Sequence, residues 1–572
     1  MTTTRPLDRD YRARSWDELD GGSYDMVVVG GGVTGAGIAL DAATRGLRVA
    51  LVEQADLASG TSSRSSKLFH GGLRYLEQLN FTLVREALRE RELMLTRIAP
   101  HLVKPVSFLY PLKHRWWERP YVTAGLTLYD RMGGARSVPR HSQLSRRAAL
   151  RLAPGLDRDA LVGALRYYDA QADDARHTMM LARTAAAYGA TVLTSVRATG
   201  FEQVGERVVG VHLEDLETQA TCSVRSAVVV NATGVWTDSV QAMSGAGGRF
   251  RVRASKGVHL VVPRHRIPSE TGLILRTEKS VLFVIPWGTH WIVGTTDTDW
   301  ELDLAHPAAS RADIDYILDQ VNAVLTSPLT HDDIEGVYAG LRPLLAGESD
   351  STSRLSREHA VARSQPGLVS VAGGKYTTYR VMAADAVDLA RADLADTVPD
   401  SVTADIPLLG AEGYAALVHQ VPQLAARSGL PEWRVRRLLD RYGSLVHELF
   451  AVADARPDQW EPLAGAPEYL RAEITYAVTH EGALHLDDVL TRRTRISIET
   501  PDRGIECSPE AAALMGEELG WDTERARDEV SAYAARVAAE RESQRAAQDL
   551  DANAERLAAP DIRTRSVGRA LS

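Results

Sequence analysis

DMVVVGGGVTGAGIALDAATRGLRVALVE, residues 25–53, reads as strand, glycine turn, helix and second strand. Met26 to Val29 is a short, wholly apolar run, the pattern of a strand buried on both faces of a parallel sheet. Gly30, Gly32 and Gly35 follow in G-x-G-x-x-G spacing. The first permits a tight turn, the second lets a pyrophosphate approach the backbone, and the third lets helix and strand pack closely. Gly35, Ala39, Ala42, Ala43 and Gly46 make a stripe of small residues on the helix that follows, whose free N–H groups and positive dipole end would face the pyrophosphate. Arg48 to Val52 is the second strand. Glu53 ends it 18 residues after Gly35, near the ~20 expected for a carboxylate that binds a ribose. Glu53 would repel a 2′-phosphate, which disfavours NADP; NAD and FAD both fit this stretch.

Two later segments repeat the theme. VVVNATGVWTD (residues 228–238) and LVSVAGGKYTTYRVMAADAV (residues 368–387) each run from a buried strand into small residues. Three such elements far apart in sequence fit one discontinuous nucleotide domain around a long ligand. Directly after Glu53, LASGTSSRSSKLFHGGLRYLEQLNF (residues 57–81) crowds hydroxyls, lysine, histidine and arginine beside that ligand.

Composition bounds the rest. With 572 residues, two or three domains are expected. A net charge of −9 without a long basic block argues against nucleic acid. Two cysteines, Cys222 and Cys507, exclude a disulfide framework or a four-cysteine cluster and suit a reducing cytosol. The first twenty residues lack the apolar core of a secretory signal, and no apolar run reaches the roughly 18–20 residues that span a bilayer. HEGALH, ending at His485, spaces its histidines by five rather than four, so a solvated helix end is expected rather than zinc.

The sequence resembles the FAD-dependent sn-glycerol-3-phosphate dehydrogenases of the respiratory type, within the wider D-amino-acid-oxidase and glycine-oxidase fold family. The motifs that carry the likeness include TSSRSSKLFHGGLRYLE, YYDAQADDARHTMMLA, NATGVWTD, KGVHLVVP, VGTTDTD, GLRPLL and GGKYTTYR, in order across residues 24–380. The region 407–535 is similar more loosely. The resemblance implies an α/β plus α fold: a discontinuous Rossmann-like FAD domain, an antiparallel-sheet substrate domain and a C-terminal helical domain. The expected boundaries are a disordered extension over 1–20; an FAD domain from 21–80, 165–250 and 355–395; a substrate domain from 81–164 and 251–354; a helical domain over 400–540; and a polar tail over 541–572.

The implied cofactor is FAD, and the implied reaction is oxidation of glycerol 3-phosphate to dihydroxyacetone phosphate. By likeness, Thr61, Ser62, Ser63, Ser66, Lys67, Gly234, Gly373, Gly374 and Thr377 join Gly30, Gly32, Gly35 and Glu53 around FAD. Arg74, Tyr75, Arg342 and Lys375 match substrate positions; arginine suits a phosphate because its planar fork donates paired charged hydrogen bonds. His70 and His259 are the candidate proton acceptors, with His70 favoured by its place four residues before Arg74. No metal is expected. Without a C-x-x-C-H or a cysteine cluster, electrons must pass directly from the flavin to a quinone, another carrier or oxygen. KHRWWERPYVTAGLTLYDRM (residues 113–132) sets aromatics beside four basic and two acidic residues, which suits peripheral contact with the inner face of the cell membrane. A homodimer is suggested by the likeness alone. The alternatives are an oxygen-dependent glycerol-3-phosphate oxidase that makes peroxide and an amine oxidase of the D-amino-acid-oxidase kind.

Overall fold

The computed structural model describes residues 4–72, 80–114, 117–133, 137–245, 250–277, 281–346, 359–394 and 397–563. The chain enters through helix α1 (Arg9–Leu19), which Asp8 caps by accepting the N–H of Tyr11. Tyr11, Ser15 and Leu19, each four apart, turn inward and are buried. The Tyr11 hydroxyl accepts the N–H of Val192, and Arg12 forms a forked pair with Asp215. Over residues 9–19 the expected disordered extension is therefore corrected to a docked helix: a polar-looking segment hides inward positions, Tyr11, Ser15 and Leu19, spaced by four.

The glycine unit folds as its sequence reads. Strand β1 (Ser23–Val29) leads through the turn into α2 (Val33–Thr44), and β2 (Val49–Val52) returns parallel to β1. A Cβ on Gly35 would sit 1.9 Å from the Gly30 carbonyl oxygen, so only glycine lets α2 lie this close to the turn. Gly37 likewise lies against the ring of Tyr379 in the helix Tyr379–Ala390.

Four later strands, β3 (Thr221–Asn231), β4 (Val252–Pro263), β5 (Gly336–Leu345) and β6 (Leu368–Gly373), carry the rest of the site. In the first sheet β6, β3, β1 and β2 run parallel side by side, buried on both faces as apolar parallel strands must be. In the second, largely antiparallel sheet β4 pairs with β5 over ten residues, bringing Ser255 opposite Arg342, Gly257 opposite Gly340 and His259 opposite Tyr338. Strand 163–171 and the short strand 68–69 also belong to this second sheet. The chain thus crosses back to the first sheet after Gln171, not at 165, and the helix Asp174–Ala187 begins the return.

The C-terminal region is helical, with a small hairpin at 462–470. The expected polar tail is corrected over 541–563. The helix Asp549–Leu557 buries Ala552, and Arg563 is inserted into the interior. No helix among the described residues is long and apolar enough to cross a membrane.

His485 is not the solvated helix end its sequence suggests. It is fully buried and bridges Glu217, beyond the first sheet, to Glu529 of the helix Thr523–Ser543, at 2.9 Å each. No group suited to a metal occurs among the described residues. Burial and Arg563 oppose a charge on His485, but Glu217 and Glu529 outweigh them and raise its pKa to about 9. Burial likewise opposes charge on Glu217, yet His485 draws its pKa down to about 2. The histidine contribution is therefore complete below the unfolded value of roughly 6.5 and is lost as pH rises through about 9. The glutamate contribution is complete above roughly 4.3 and is lost as pH falls through about 2. Thermal unfolding should show Tm falling from about pH 7 to about pH 9.5, and His485→Asn should lower Tm at neutral pH and flatten that slope.

Candidate active site

A cavity of about 1020 Å3 lies between the two sheets, at the top of the range of roughly 300–1,000 Å3 for small-molecule sites. Gly30, Gly32, Val33 and Glu53 line one end; His70, His259, Arg342 and Lys375 line the other. The dinucleotide end is shaped by missing side chains. Gly30 holds φ at 113°, and a Cβ there would meet the Ala232 carbonyl at 2.7 Å. Gly32 caps α2 without a side-chain bond, leaving the positive end of the helix beside the cavity. Glu53 is aimed by two N–H donors, Gly31 at 2.6 Å and Ala55 at 2.8 Å. Burial raises its pKa, and those two donors resist the rise. A glycine cradle, an open helix start and an oriented acid at the end of β2 fit a dinucleotide.

The loop 60–70 forms the long wall. Ser62 Oγ accepts the Val33 N–H at 2.8 Å, and Thr61 Oγ1 donates to the Leu341 carbonyl at 2.5 Å, tying the loop to both sheets. Ser66 Oγ lies 2.9 Å from His259 Nε2. Lys67 and Ser63 do not line the cavity. The Lys67 side chain is buried and turns away, donating to Asp174 at 2.7 Å and to the Ser63 carbonyl at 3.0 Å. Its expected place against the cofactor is thus corrected to a structural one: a buried ammonium follows its carboxylate.

At the other end, glycines again make room. A Cβ on Gly257 would press the Arg342 guanidinium at 2.6 Å, and one on Gly340 would meet the Arg64 carbonyl at 2.5 Å. Arg342 donates to the Thr296 carbonyl at 3.2–3.3 Å and to Thr295 Oγ1 at 3.2 Å, with Asp297 at 3.5 Å. His259 is buried and stacks on Tyr338, ring centres 4.7 Å apart. Burial, then Arg342 and Lys67, hold its pKa well below the ordinary 6.5, so the imidazole is neutral. His70 is fixed through its backbone: its N–H donates to Thr377 Oγ1 at 3.2 Å, and the next N–H, of Gly71, donates to the Tyr129 hydroxyl at 2.9 Å. That hydroxyl donates to Asp169, which Arg91 also binds. Gly373 and Gly374, with φ of 73° and 81°, turn β6 so that Lys375 lies on the cavity wall.

The structure therefore brings together His70, His259, Arg342, Lys375, Thr377, Gly373 and Gly374 around one end of the cavity, with Thr61, Ser62 and Ser66 along its side and Gly234 on the wall next to the residues that pack on Gly30. Gly35 packs behind the turn. Arg74 and Tyr75 lie outside the described residues. Sequence reasoning missed Tyr338 and Asp297, although both sit within two residues of matched motifs: GLRPLL begins two residues after Tyr338, and Asp297 lies inside VGTTDTD. At the dinucleotide end, Gly32→Val should place bulk beside Ser62 Oγ, which is only 3.2 Å from the position of a Cβ. The purified variant is expected to carry less than about a tenth of the wild-type bound cofactor, read from its absorbance, while far-UV circular dichroism stays unchanged.

Residues 25–380 match the family model described as FAD dependent oxidoreductase, and residues 401–526 match that for the C-terminal domain of alpha-glycerophosphate oxidase. A glycerol-3-phosphate dehydrogenase of Mycobacterium leprae is 61% identical over 556 residues, 97% of this chain and 95% of the relative. The human mitochondrial glycerol-3-phosphate dehydrogenase is 36% identical, covering 89% of this chain and 72% of its own. The crystal structure of the Bacillus halodurans glycerol-3-phosphate dehydrogenase complexed with FAD superposes with a TM-score of 0.77 at 30% identity, covering 93% of this chain and 98% of that one. The chain belongs to the FAD-dependent oxidoreductases and, among them, to the glycerol-3-phosphate dehydrogenase family.

Proposed function

We propose that this protein is an FAD-dependent enzyme that oxidises sn-glycerol 3-phosphate to dihydroxyacetone phosphate. The observation that carries the reading is a single cavity with a dinucleotide cradle at one end and Arg342, Lys375 and two histidines at the other. FAD, when bound, supplies the hydride acceptor for C2 of the substrate. The chain supplies the phosphate clamp, the proton acceptor and the exclusion of water. Arg342, held by the Thr296 carbonyl, presents its fork to the phosphate, with Lys375 adding charge on the facing wall. His259 takes the hydroxyl proton. It is neutral, it is steadied by Tyr338 and Ser66, and the dianionic substrate offsets the Arg342 charge that otherwise opposes its protonation. This departs from the expectation that favoured His70, because burial, the cross-strand stack on Tyr338 and the contact with Ser66 orient the His259 ring on the cavity wall.

A quinone is the acceptor we favour. The helix Glu118–Met132 sets Tyr121 and Leu128 on the cavity wall, and both are exposed together with Trp117 and Phe81. Aromatic and apolar side chains at a cavity mouth suit a lipid-soluble acceptor taken from the inner face of the cell membrane. The match of residues 401–526 to an oxidase C-terminal model keeps oxygen as the second reading. Peroxide formed in step with substrate loss would establish it.

Arg342→Ala is expected to raise KM for glycerol 3-phosphate roughly 30- to 150-fold, the loss of about 2–3 kcal/mol of charged hydrogen bonding, with FAD still bound. Unchanged KM removes Arg342 from the clamp. Because the His259 pKa is depressed in the substrate-free enzyme, kcat/KM should show no enzyme acid limb near the ordinary histidine value of roughly 6.5; such a limb, disappearing in His70→Asn, returns the base to His70.

A further inference from the structure

Lys256 lies on β4 between Ser255, whose Oγ accepts from Arg342 at 3.5 Å, and Gly257, which lines the cavity, so its side chain points out of the back of the sheet. It is fully buried there, and it carries its charge into a closed pocket. Its Nζ donates to Asp313 at 2.6 Å, to Asp549 at 2.5 Å and to the Ala308 carbonyl at 3.2 Å, over the ring of Trp300 at 4.8 Å. Asp313 comes from the neighbouring helix Arg311–Asn322, but Asp549 comes from the segment that follows the helical domain. Ser310 also donates to Asp549, at 2.8 Å, and the Arg311 N–H donates to the Ala546 carbonyl. Three residues on, Ala552 is fully buried in a cluster with Trp300, Ala308 and Leu341.

These contacts meet the substrate strands directly. Lys256 is the cross-strand partner of Leu341, which precedes Arg342, and the Leu341 carbonyl accepts the hydrogen bond from Thr61 of the cofactor loop. The far end of the same segment reaches the dinucleotide end. Arg563 donates to Ser195 Oγ at 2.7 Å and to both Asp488 oxygens at 3.0–3.1 Å; Ser195 precedes Val196, which lines the cavity and donates to the Glu53 carbonyl.

We propose that residues 545–563 form a strap that fixes the substrate strands from behind, with Lys256 and Asp549 as its positioning pair. The strap lies beyond both family matches, which end at residues 380 and 526. Neither residue touches the cavity. They act by fixing where β4 and β5 hold Gly257, His259 and Arg342, so the effect expected is on substrate affinity. The kinetic part of the inference rests on the proposed function.

Asp549→Asn in the full-length holoenzyme removes one carboxylate and leaves Asp313 to neutralise Lys256, so the fold is retained. KM for glycerol 3-phosphate should rise about 5- to 10-fold, with kcat within twofold of wild type and the flavin content unchanged. Amide exchange should quicken in 252–263 and 336–345 and stay as in wild type within 23–52. In an Arg342→Ala background the KM penalty of Asp549→Asn should vanish, because the strap acts through the clamp. Unchanged KM with unchanged exchange overturns the proposal. So does a fall in kcat, flavin content and Tm together, which marks a general stability role. If the wild type does not turn over glycerol 3-phosphate, the proposed function falls, and exchange in the two strands still decides whether the strap holds them.

Discussion

The loop from Gly60 to His70 is held by a buried charge array, and the site depends on it. Lys67, at a φ of 58°, turns its ammonium to the Ser63 carbonyl and to Asp174. Arg495, from the helical domain, reaches Asp173, Asp174 and the same Ser63 carbonyl. Burial works against charge on Asp173, but Arg495 and Arg441 outweigh it and hold the carboxyl far below its ordinary range. Burial and Arg495 lower the pKa of Lys67, which Asp174 counters. Breaking such a set by removing one member typically costs about 3–5 kcal/mol, because the partner is left charged and dry. The array thus fixes Thr61, Ser62 and Ser66, whose hydroxyls face three different surfaces: β5, α2 and His259.

The helical domain accordingly acts on a cavity that it does not line. Arg495 reaches the loop, and Glu499 accepts from Trp287 Nε1 in the second sheet while also accepting from Tyr469 of its own domain. Arg492 and Arg493 clasp Asp56, three residues past Glu53. The arginine attachments are charged pairs buried between the helical domain and the cofactor side, and the Glu499–Trp287 bond is a half-buried tie to the second sheet. Along the cavity wall, glycine plays the complementary role. A Cβ on Gly30 would strike the Ala232 carbonyl, one on Gly257 the Arg342 guanidinium, one on Gly340 the Arg64 carbonyl and one on Gly374 the Met382 sulfur, each within about 3 Å, so neighbouring segments of the wall pack at side-chain-free points.

What was legible in the sequence was local. Strand, glycines, helix and Glu53 follow one another within thirty residues, and each step has its own chemical reason, so the dinucleotide end needed no tertiary information. His259, Arg342 and Lys375 were readable as candidates because each sits in a motif that contains glycine, although only Gly373 and Gly374 turn the chain while Gly257 and Gly340 lie within β4 and β5. Lys67 was misplaced because its partner is 107 residues away and nothing near it in sequence announces a buried carboxylate. The same holds for His485, whose partners Glu217 and Glu529 lie 268 and 44 residues distant. The two ends of the chain looked polar and unstructured for a related reason. In α1 the inward positions are few, and in the strap the anchoring residues are Asp549 and Arg563, charged groups that composition counts as solvated.

Mixing the purified flavoprotein with glycerol 3-phosphate under argon, and following the absorbance of the bound flavin, tests whether the cavity is built for this chemistry. Rapid bleaching, with one dihydroxyacetone phosphate formed per flavin and no bleaching by unphosphorylated glycerol at the same concentration, is the predicted result. A flavin that stays oxidised, or that bleaches equally with glycerol, would contradict it.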